Sequence, residues 1–221
     1  MKVVCIIPIK THSRRVKSKN FRLFCGKPLY EFFFDKLSNH PFDDLFVDTD
    51  SDQIAHYCNN NGFSIIERKP ELASDSSNGN DLLLHHAQII DADIYFQLFI
   101  TSPFLKKETI SKAYDILTQN QDYDSLLTAT KIYSWFWFES KPVNYDPKIL
   151  PRSQDATPII KETTGLYAIR KEALLENKCR IGKHPYMLFV DEIEAMDIDT
   201  EFDFSLAEFI FKMYESVESE D

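Results

Sequence analysis

Short apolar runs alternate with segments of helical periodicity along the first half of the chain. The runs are rich in β-branched and aromatic residues, which predicts strands; they are VVCIIPI (3–9), LFVDTD (45–50), FSIIER (63–68) and DIYFQLFI (93–100). Apolar residues recur at helical spacing in residues 29–38, 52–61, 81–90 and 107–120, which predicts helices there. This alternation predicts an α/β domain with a mostly parallel sheet and right-handed crossovers.

The second half of the chain has a less regular pattern. Residues 125–142 predict a strand followed by an aromatic-rich loop or a second strand, and residues 163–174 predict a strand, a turn and a short helix. MLFVDEIEAMDIDT (187–200) predicts one or two strands, and residues 201–214 predict a closing helix. Thr200 and Asp203 have the spacing of a capping box at its start. The acidic tail, residues 215–221, is expected to fray.

Composition narrows the class of protein. The 221 residues, 43% of them hydrophobic, suffice for one domain with a substantial core. The net charge of −10 disfavours nonspecific nucleic-acid binding, which needs an extended basic surface. No apolar run approaches the roughly 18 residues that cross a bilayer. The apolar start of the chain reads as a core strand without a cleavage site, so we expect a cytoplasmic protein without a membrane partner.

A basic stretch follows the first predicted strand. Residues 10–30 contain seven Lys or Arg residues and no carboxylate; residues 10–20 are called the first loop below. In parallel sheets, ligands bind beyond the carboxyl ends of the strands, where this loop begins. A triphosphate carries about four negative charges and needs several cations and backbone N–H donors. The first loop therefore favours phosphate binding, and a solvated charged loop is the alternative.

Two carboxylates near the end of the chain have the spacing of a metal site. Asp197 and Asp199 follow an apolar run, and residues two apart leave a strand on the same face. Two carboxylates aimed at one point repel each other unless a cation lies between them. Magnesium, held by one or two carboxylates and by substrate phosphates, suits such a pair. The alternative is that one aspartate only caps the following helix.

Motifs in order along nearly the whole chain resemble one known family, the acylneuraminate cytidylyltransferases, which activate nonulosonic (sialic-type) acids as CMP-sugars. The first loop resembles the family's Arg-x-Gly-Ser-Lys segment, which is followed at fixed spacing by Lys-Asn. The corresponding residues here are Lys10-Thr11-His12-Ser13-Arg14 and Lys19-Asn20. The later matches are VDTDSDQIA (47–55), ERKPELASD (67–75), ITSPF (100–104), LPRSQDATP (150–158), TTGLYAI (163–169) and MDIDTEFDF (196–204).

The resemblance implies a Rossmann-like nucleotidyltransferase fold, binding of CTP and Mg²⁺, and a homodimer. Residues 1–221 would form a single cytidylyltransferase domain, with residues 131–163 as a dimerisation or substrate-capping arm. The triphosphate would be held by Lys10, Ser13, Arg14, Lys19 and Asn20, the cytidine by Arg68, Ser74 and Gly79, the metal by Asp197 and Asp199, and the sugar acid by Gln97, Thr101, Ser102 and Arg152. Of these, the residues expected to act in catalysis are Lys10, Arg14, Lys19 and Asp199.

Departures from the family pattern leave the sugar acid open. Thr11 and His12 stand where glycines are usual, and Ser18 stands where glycine is common. Phe99 replaces a glutamine that often contacts the sugar, and Gln97, on the same strand face, is the expected substitute. Three other functions stay open: a KDO-type cytidylyltransferase, a D-x-D metal-dependent glycosyltransferase, and a nucleotide-binding homologue without catalysis.

Overall fold

The computed structural model describes residues 1–74 and 76–218, with the side chains of residues 215–218 excluded. Seven strands form the main sheet: β1 (Val3–Ile9), β4 (Asp44–Thr49), β5 (Ser64–Glu67), β6 (Ile94–Leu98), β7 (Ser125–Ile132), β10 (Ile159–Arg170) and β11 (Pro185–Phe189). Four two-residue strands form two small hairpins: β2 (Leu23–Phe24) with β3 (Lys27–Pro28), and β8 (Trp137–Phe138) with β9 (Lys141–Pro142). The helices are α1 (Leu29–Phe34), α2 (Asp52–Asn61), α3 (Gly79–Ile89), α4 (Lys107–Gln119), α5 (Lys171–Asn177) and α6 (Glu201–Glu218).

The main sheet is mostly parallel, as the sequence predicted. Its strand order is β11-β7-β10-β6-β1-β4-β5, and only β10 runs antiparallel to its neighbours in the described part of the chain. Strand β1 pairs in parallel with both β4 and β6, so the strand order reverses beside it. Open α/β sheets bind ligands at such a switch point, beyond the carboxyl ends of the strands. The first loop leaves β1 at this position.

Helices cover both faces of the sheet because the side chains of a strand alternate between them. In β1, Val3, Cys5 and Ile7 pack with residues of α1, α2 and α4. Val4 and Ile6, on the other face, pack with Leu83 of α3 and with two residues of α5. All of these β1 side chains are fully buried. The result is a helix–sheet–helix sandwich whose middle layer carries the switch point.

Residues 187–200 contain one of the one or two predicted strands, and the prediction that Asp197 and Asp199 end a strand was wrong. Strand β11 ends at Phe189, and no second strand follows before α6. Asp191 explains the change, because its Oδ1 accepts hydrogen bonds from the backbone N–H groups of Ile193 and Glu194 and starts a turn. Asp197 and Asp199 therefore lie on an irregular segment that runs from this turn to α6.

The other predicted elements are confirmed within a few residues. Helix α2 spans the predicted 52–61, and α6 continues past the predicted end at residue 214. Thr200 and Asp203 form the expected capping box, since each side chain accepts the backbone N–H of the other residue. The fraying predicted for the tail concerns residues 215–221, of which 219–221 lie outside the described residues.

Residues 133–158 leave the sheet between β7 and β10 and carry the small hairpin β8–β9. This segment has large exposed apolar side chains: Trp137 is 58% exposed, Phe138 69% and Ile149 76%. An apolar surface of this kind is typical of protein interfaces. The segment lies within the predicted arm, residues 131–163, whose role stays a prediction. Among the described residues, no helix is both long enough and apolar enough to span a bilayer.

Candidate active site

The first loop is fixed by one buried side chain and by polar contacts at its ends. Val16 is fully buried in a cluster with Phe24 and with Ile198, on the segment that precedes α6. Asn20 Nδ2 donates to the Lys10 carbonyl at 2.8 Å, which closes the loop. The basic side chains are thus presented from an anchored backbone. Arg14, Arg15 and Lys17 are exposed, so phosphate binding by this loop stays a prediction.

A cleft of about 530 Å³ lies at the carboxyl end of β1. It brings together all eight residues that the resemblance assigned to CTP, and Thr101 of the sugar-acid set; the eight are Lys10, Ser13, Arg14, Lys19, Asn20, Arg68, Ser74 and Gly79. The first loop forms one side, and the segment before α3 forms the other. The first loop supplies four cations of the cleft, and Arg68 and Arg180 add two more from other segments.

Arg68 is held by a buried network below the cleft. Its Nε donates to Asp48 Oδ1 at 3.1 Å and its Nη2 donates to the Asp48 carbonyl at 2.9 Å. His86 Nε2 lies 2.9 Å from Asp48 Oδ2, and its side chain is fully buried. Burial raises the pKa of Asp48, but the hydrogen bond with His86 and the Arg68 charge outweigh it, so the pKa is lowered. Asp48 thus stays ionised and fixes the guanidinium of Arg68.

Asp199 is bound to the first loop rather than left without a cation. Arg15 Nη1 donates to Asp199 Oδ2 at 2.8 Å, and Arg15 Nη2 lies 2.6 Å from Oδ1. Lys19 Nζ lies 3.8 Å from Asp199 Oδ1 and also donates to the Ile198 carbonyl. Neither carboxylate caps α6, because Asp203 and Thr200 already form that cap.

Asp197 is the more buried of the two aspartates. Burial is the largest cause that raises the pKa of its carboxyl, and the neighbouring Asp199 charge raises it further, while the Thr101 hydroxyl opposes both. Its Oδ1 is buried and has no hydrogen-bond partner. Burial also lowers the pKa of Lys19, against the attraction of both aspartates. A cation bound beside Asp197 would therefore stabilise the ionised form of its carboxylate.

The two aspartates line a second cleft of about 550 Å³ and are not among the described residues that line the basic cleft. The contacts of Asp199 with Arg15 and Lys19 join the two clefts. Glu162, Thr164 and Glu192 contribute to its walls together with Lys161. The metal pair predicted from sequence thus lies in the second, mainly acidic cleft, beside two cations of the basic cleft. This position suits a group that contacts two substrates.

The residues predicted for the sugar acid are spread over three environments. Thr101 lines the basic cleft, and its carbonyl accepts the Ile198 N–H at 2.8 Å. Gln97 and Ser102 are buried beneath the cleft surface. Arg152 is 73% exposed, pairs with Asp155, and is not among the described residues that line the cleft. The structure thus brings only part of this predicted set together.

Four residues at the site were not predicted as site residues. Arg15 was counted in the basic stretch, but nothing in the sequence distinguishes it from Arg14 as the partner of Asp199. Asp48 and His86 meet only in the folded structure, so their contact could not be predicted from sequence. The position of Asp48 near the end of an apolar strand could have marked it as a site residue. Arg180 lines the cleft from the loop before β11, where a single cation between turn residues gives no signal.

Comparisons with known proteins identify the class to which this fold and site belong. The cytidylyltransferase family matches residues 4–218, so the chain belongs to the cytidylyltransferase family. It is 29% identical to CMP-N,N'-diacetyllegionaminic acid synthase of Legionella pneumophila, with 96% of this chain and 97% of that protein aligned. It is 27% identical to pseudaminic acid cytidylyltransferase of Campylobacter jejuni, over the same shares of each chain.

Longer relatives match only in part. N-acylneuraminate cytidylyltransferase A of Danio rerio is 26% identical over 216 residues, which cover 93% of this chain and 50% of that protein. The chain spans about half the length of this relative and of the Streptococcus agalactiae N-acylneuraminate cytidylyltransferase. Among solved structures, a CMP:2-keto-3-deoxy-manno-octonic acid synthetase complexed with CTP has a TM-score of 0.72 at 16% identity, covering 97% of this chain and 100% of that one. This likeness supports the Rossmann-like nucleotidyltransferase fold alone.

Proposed function

We propose that the chain transfers the cytidylyl group of CTP to the anomeric hydroxyl of a nonulosonic 2-keto-3-deoxy sugar acid and releases pyrophosphate. The observation that carries the proposal is that four first-loop cations line one cleft and that two of them, Arg15 and Lys19, also bind Asp199; the four are Lys10, Arg14, Arg15 and Lys19. Family membership and the names of the two bacterial relatives of similar length support the same reaction.

The first loop supplies the charge that a triphosphate requires. Lys10 and Arg14 line the cleft and would balance the β and γ phosphates, with Ser13 and Asn20 beside them. Lys19 is mostly buried, and its ammonium group also binds the Ile198 carbonyl. It would therefore fix the aspartate segment against the first loop while it contributes charge to the phosphates. Negative charge develops on the leaving pyrophosphate, so these cations would act in catalysis as well as in binding.

Asp197 and Asp199 fit a magnesium ion. Asp197 offers a buried carboxylate oxygen without a hydrogen-bond partner, and Asp199 already binds a cation, Arg15. The described residues contain no cluster of three or more His, Cys, Asp or Glu side chains suited to a metal, so phosphate oxygens would complete the coordination. Bound there, the ion would supply a template for the phosphates and Lewis-acid stabilisation of their charge.

Arg68 would contact the cytidine. Its guanidinium is held from below by Asp48, and Ser74 and Gly79 line the same side of the cleft. A side chain that is already fixed loses little conformational entropy when the base binds. The preference for CTP over other nucleotides would arise here, because the first loop contacts only phosphates that all four nucleotides share.

The reaction needs positioning and charge neutralisation more than covalent chemistry. The acceptor hydroxyl would attack the α-phosphorus in line as the bond to the pyrophosphate oxygen breaks. Thr101 lines the basic cleft and binds the segment that carries Asp197, so it would lie near the reacting groups. The second cleft, which the aspartates line, is where the sugar would extend.

The exposed apolar arm supports a homodimer, which we propose as the working assembly. Trp137, Phe138 and Ile149 leave a large apolar surface on one segment. Mg²⁺ dependence and a cytoplasmic location remain predictions. The match to the cytidylyltransferase family leaves the glycosyltransferase alternative without support.

Pyrophosphate release tests the proposal. The purified chain would be supplied with each of the four nucleoside triphosphates, Mg²⁺, and a panel of acceptors: N-acetylneuraminic acid, N,N'-diacetyllegionaminic acid, pseudaminic acid and KDO. We expect release with CTP and one of the first three acids. Release only with KDO would favour the KDO-type alternative. CTP binding without release from any acid would favour the homologue without catalysis.

A further inference from the structure

Arg180 lines the basic cleft and has no role in the proposed function. Its guanidinium carbon lies 3.5 Å from the centre of the Tyr167 ring and 5.8 Å from that of Phe99. Its backbone N–H donates to Asn80 Oδ1 at 2.9 Å, which ties the loop before β11 to the start of α3. The side chain is 22% exposed. The guanidinium is thus held against two aromatic rings with one side open to the cleft.

The absence of a side chain at Gly79 makes this position possible. A β-carbon at Gly79 would lie 2.6 Å from Arg180 Nη1 and 3.4 Å from Gln97 Oε1. The guanidinium and the Gln97 amide therefore approach the same point at the start of α3. Gln97 Nε2 donates to the Gly79 carbonyl at 3.3 Å, and its buried Oε1 has no hydrogen-bond partner. Arg180 thus stands beside the glutamine already predicted to contact the sugar acid.

The ion-pair partner of Arg180 is Glu162, which lies beyond hydrogen-bond distance and also binds the Tyr167 hydroxyl. Arg180 Nη2 lies 3.6 Å from Glu162 Oε1, longer than a charge-assisted hydrogen bond. The same Glu162 oxygen accepts a hydrogen bond from the Tyr167 hydroxyl. Glu162 also faces the second cleft, where it is 44% exposed. A carboxylate that reached Arg180 in planar, two-point geometry would bind it better than Glu162 does.

The other arginines and lysines at the basic cleft have other partners or positions. The first-loop cations lie at the carboxyl end of β1, where the triphosphate is proposed, and Arg68 is bound to Asp48. Arg152, which the family resemblance assigned to the sugar acid, pairs with Asp155 on the exposed arm. In the described part of the chain, Arg180 is the cleft arginine that remains on the side of Gln97 and the second cleft.

We propose that Arg180 binds the carboxylate of the acceptor sugar acid, which replaces Glu162 as the partner of the guanidinium. This inference rests on the proposed function. A 2-keto sugar acid carries its carboxylate on the carbon that bears the attacking hydroxyl, so the residue that binds it also orients that hydroxyl. Arg180 therefore selects acids over neutral sugars. The negative charge of Glu162 opposes the incoming acid and keeps the guanidinium in place when the cleft is empty.

The test compares an acid with its own carboxamide in the wild-type protein and in three variants. Arg180→Met removes the charge and keeps an apolar chain against Tyr167, Arg180→Lys keeps the charge without the two-point geometry, and Glu162→Gln removes the competing carboxylate. The acceptor is whichever acid of the panel the wild-type protein uses. The measurements are KM for the acceptor, kcat, and the Kd of CTP. Melting temperatures check that each variant folds.

We expect Arg180→Met to raise the KM for the acid about 10- to 100-fold, the range given by a lost hydrogen bond to a charged group. The KM for the carboxamide should change little in Arg180→Met, and the Kd of CTP should not change. The KM of Arg180→Lys for the acid should lie between the values of the wild-type protein and of Arg180→Met. Glu162→Gln should lower the KM for the acid several-fold, a change in the opposite direction that a structural role does not produce.

Two results would overturn the inference while leaving the proposed function intact. One is an equal loss with acid and carboxamide in Arg180→Met, which would assign the arginine to packing against Tyr167. The other is an unchanged or higher KM for the acid in Glu162→Gln. If the wild-type protein releases no pyrophosphate with any acid, the proposed function fails and the inference fails with it.

Discussion

Arg15 and Asp199, which are 184 residues apart in the chain, form a two-point ion pair with nitrogen–oxygen distances of 2.8 and 2.6 Å. The pair joins the first loop to the segment that precedes α6. It also changes the electrostatics expected from sequence, where Asp197 and Asp199 were treated as two unbalanced charges. One of them is already neutralised, and the ligand-free site is therefore less strained than a bare aspartate pair.

Asp199→Asn should leave the fold intact and abolish most of the activity. Because Asp199 is 39% exposed and paired with Arg15, we expect a loss of stability below about 1 kcal/mol, as for other surface ion pairs. Pyrophosphate release should fall by about 100-fold or more, as when charge stabilisation at a transition state is removed. Thermal unfolding and steady-state kinetics measure the two effects.

The control for this substitution is Arg15→Gln, which breaks the same ion pair and keeps both carboxylates. If Mg²⁺ binds the aspartates, Arg15→Gln should lower the Mg²⁺ concentration that gives half-maximal rate, because a competing cation is gone. A variant Asp199→Asn with near-normal pyrophosphate release would place the metal elsewhere and contradict the proposed mechanism.

Lys10→Ala should weaken CTP binding and leave the ligand-free protein almost unchanged. Lys10 lines the cleft at the end of β1, where it would contact the triphosphate. Loss of one charged contact corresponds to about 1.5–3 kcal/mol, or roughly 10- to 100-fold in Kd. Lys17→Ala is the matched control, since Lys17 is an exposed first-loop lysine that does not line the cleft. Equal effects of the two changes on Kd would mean that only the net charge of the loop matters.

Ser18→Gly should stabilise the protein. Ser18 has a φ of 52°, in the left-handed region where a β-carbon is unfavourable, and its position is one at which glycine is common in the resembled family. Relief of that strain, less the greater freedom that glycine has in the unfolded chain, gives about 0.5–1 kcal/mol. Ser18→Ala keeps the β-carbon and should give no gain in urea unfolding. A gain from both substitutions would show that loss of the hydroxyl, not the backbone conformation, is responsible.

Phe138→Asp should convert a dimer into a monomer. Phe138, in the small hairpin of the arm, is 69% exposed and adjoins Trp137. A charge placed in a buried apolar interface is strongly unfavourable. Phe202→Asp is the matched control, because Phe202 is 72% exposed but lies on α6. Light scattering should give twice 25.8 kDa for the wild-type protein and the control, and 25.8 kDa for Phe138→Asp. A monomeric wild-type protein would refute the dimer.

Local pattern and a topological rule were enough to predict most of the fold and the position of the site. The continuous apolar run of β1 follows from its burial on both faces, and helices and strands of ordinary length have periodicities that differ clearly. Once the sheet was expected to be parallel, the charge of the first loop at the end of β1 located the cleft.

The contacts that complete the site were beyond sequence reasoning because they join segments distant in the chain. Arg68 and Asp48 meet only because β4 and β5 are neighbours, and Arg15 meets Asp199 only because the last segment folds back beside the first loop. The prediction of a strand through Asp197 was wrong because Asp191 starts a turn, in which its side chain accepts two backbone N–H groups. The spacing of apolar residues gives no indication of such a turn. Side-chain-to-backbone bonds of this kind compete with strand pairing at the scale of single residues.

Asp197→Asn should stabilise the ligand-free protein at neutral pH while it inactivates the site. The pKa of Asp197 is raised in the folded protein, chiefly by burial. The unfolded chain therefore ionises first, near its ordinary pKa of about 3.9, and folding stability falls as the pH rises from there through the folded pKa. Above the folded pKa the loss is constant, and an uncharged asparagine avoids it. The stability difference between Asp197→Asn and the wild-type protein, measured by urea unfolding without Mg²⁺, should thus be near zero at pH 4 and positive at pH 8. A variant less stable than the wild-type protein at pH 8 would mean that hydrogen bonds to the ionised carboxylate outweigh its burial.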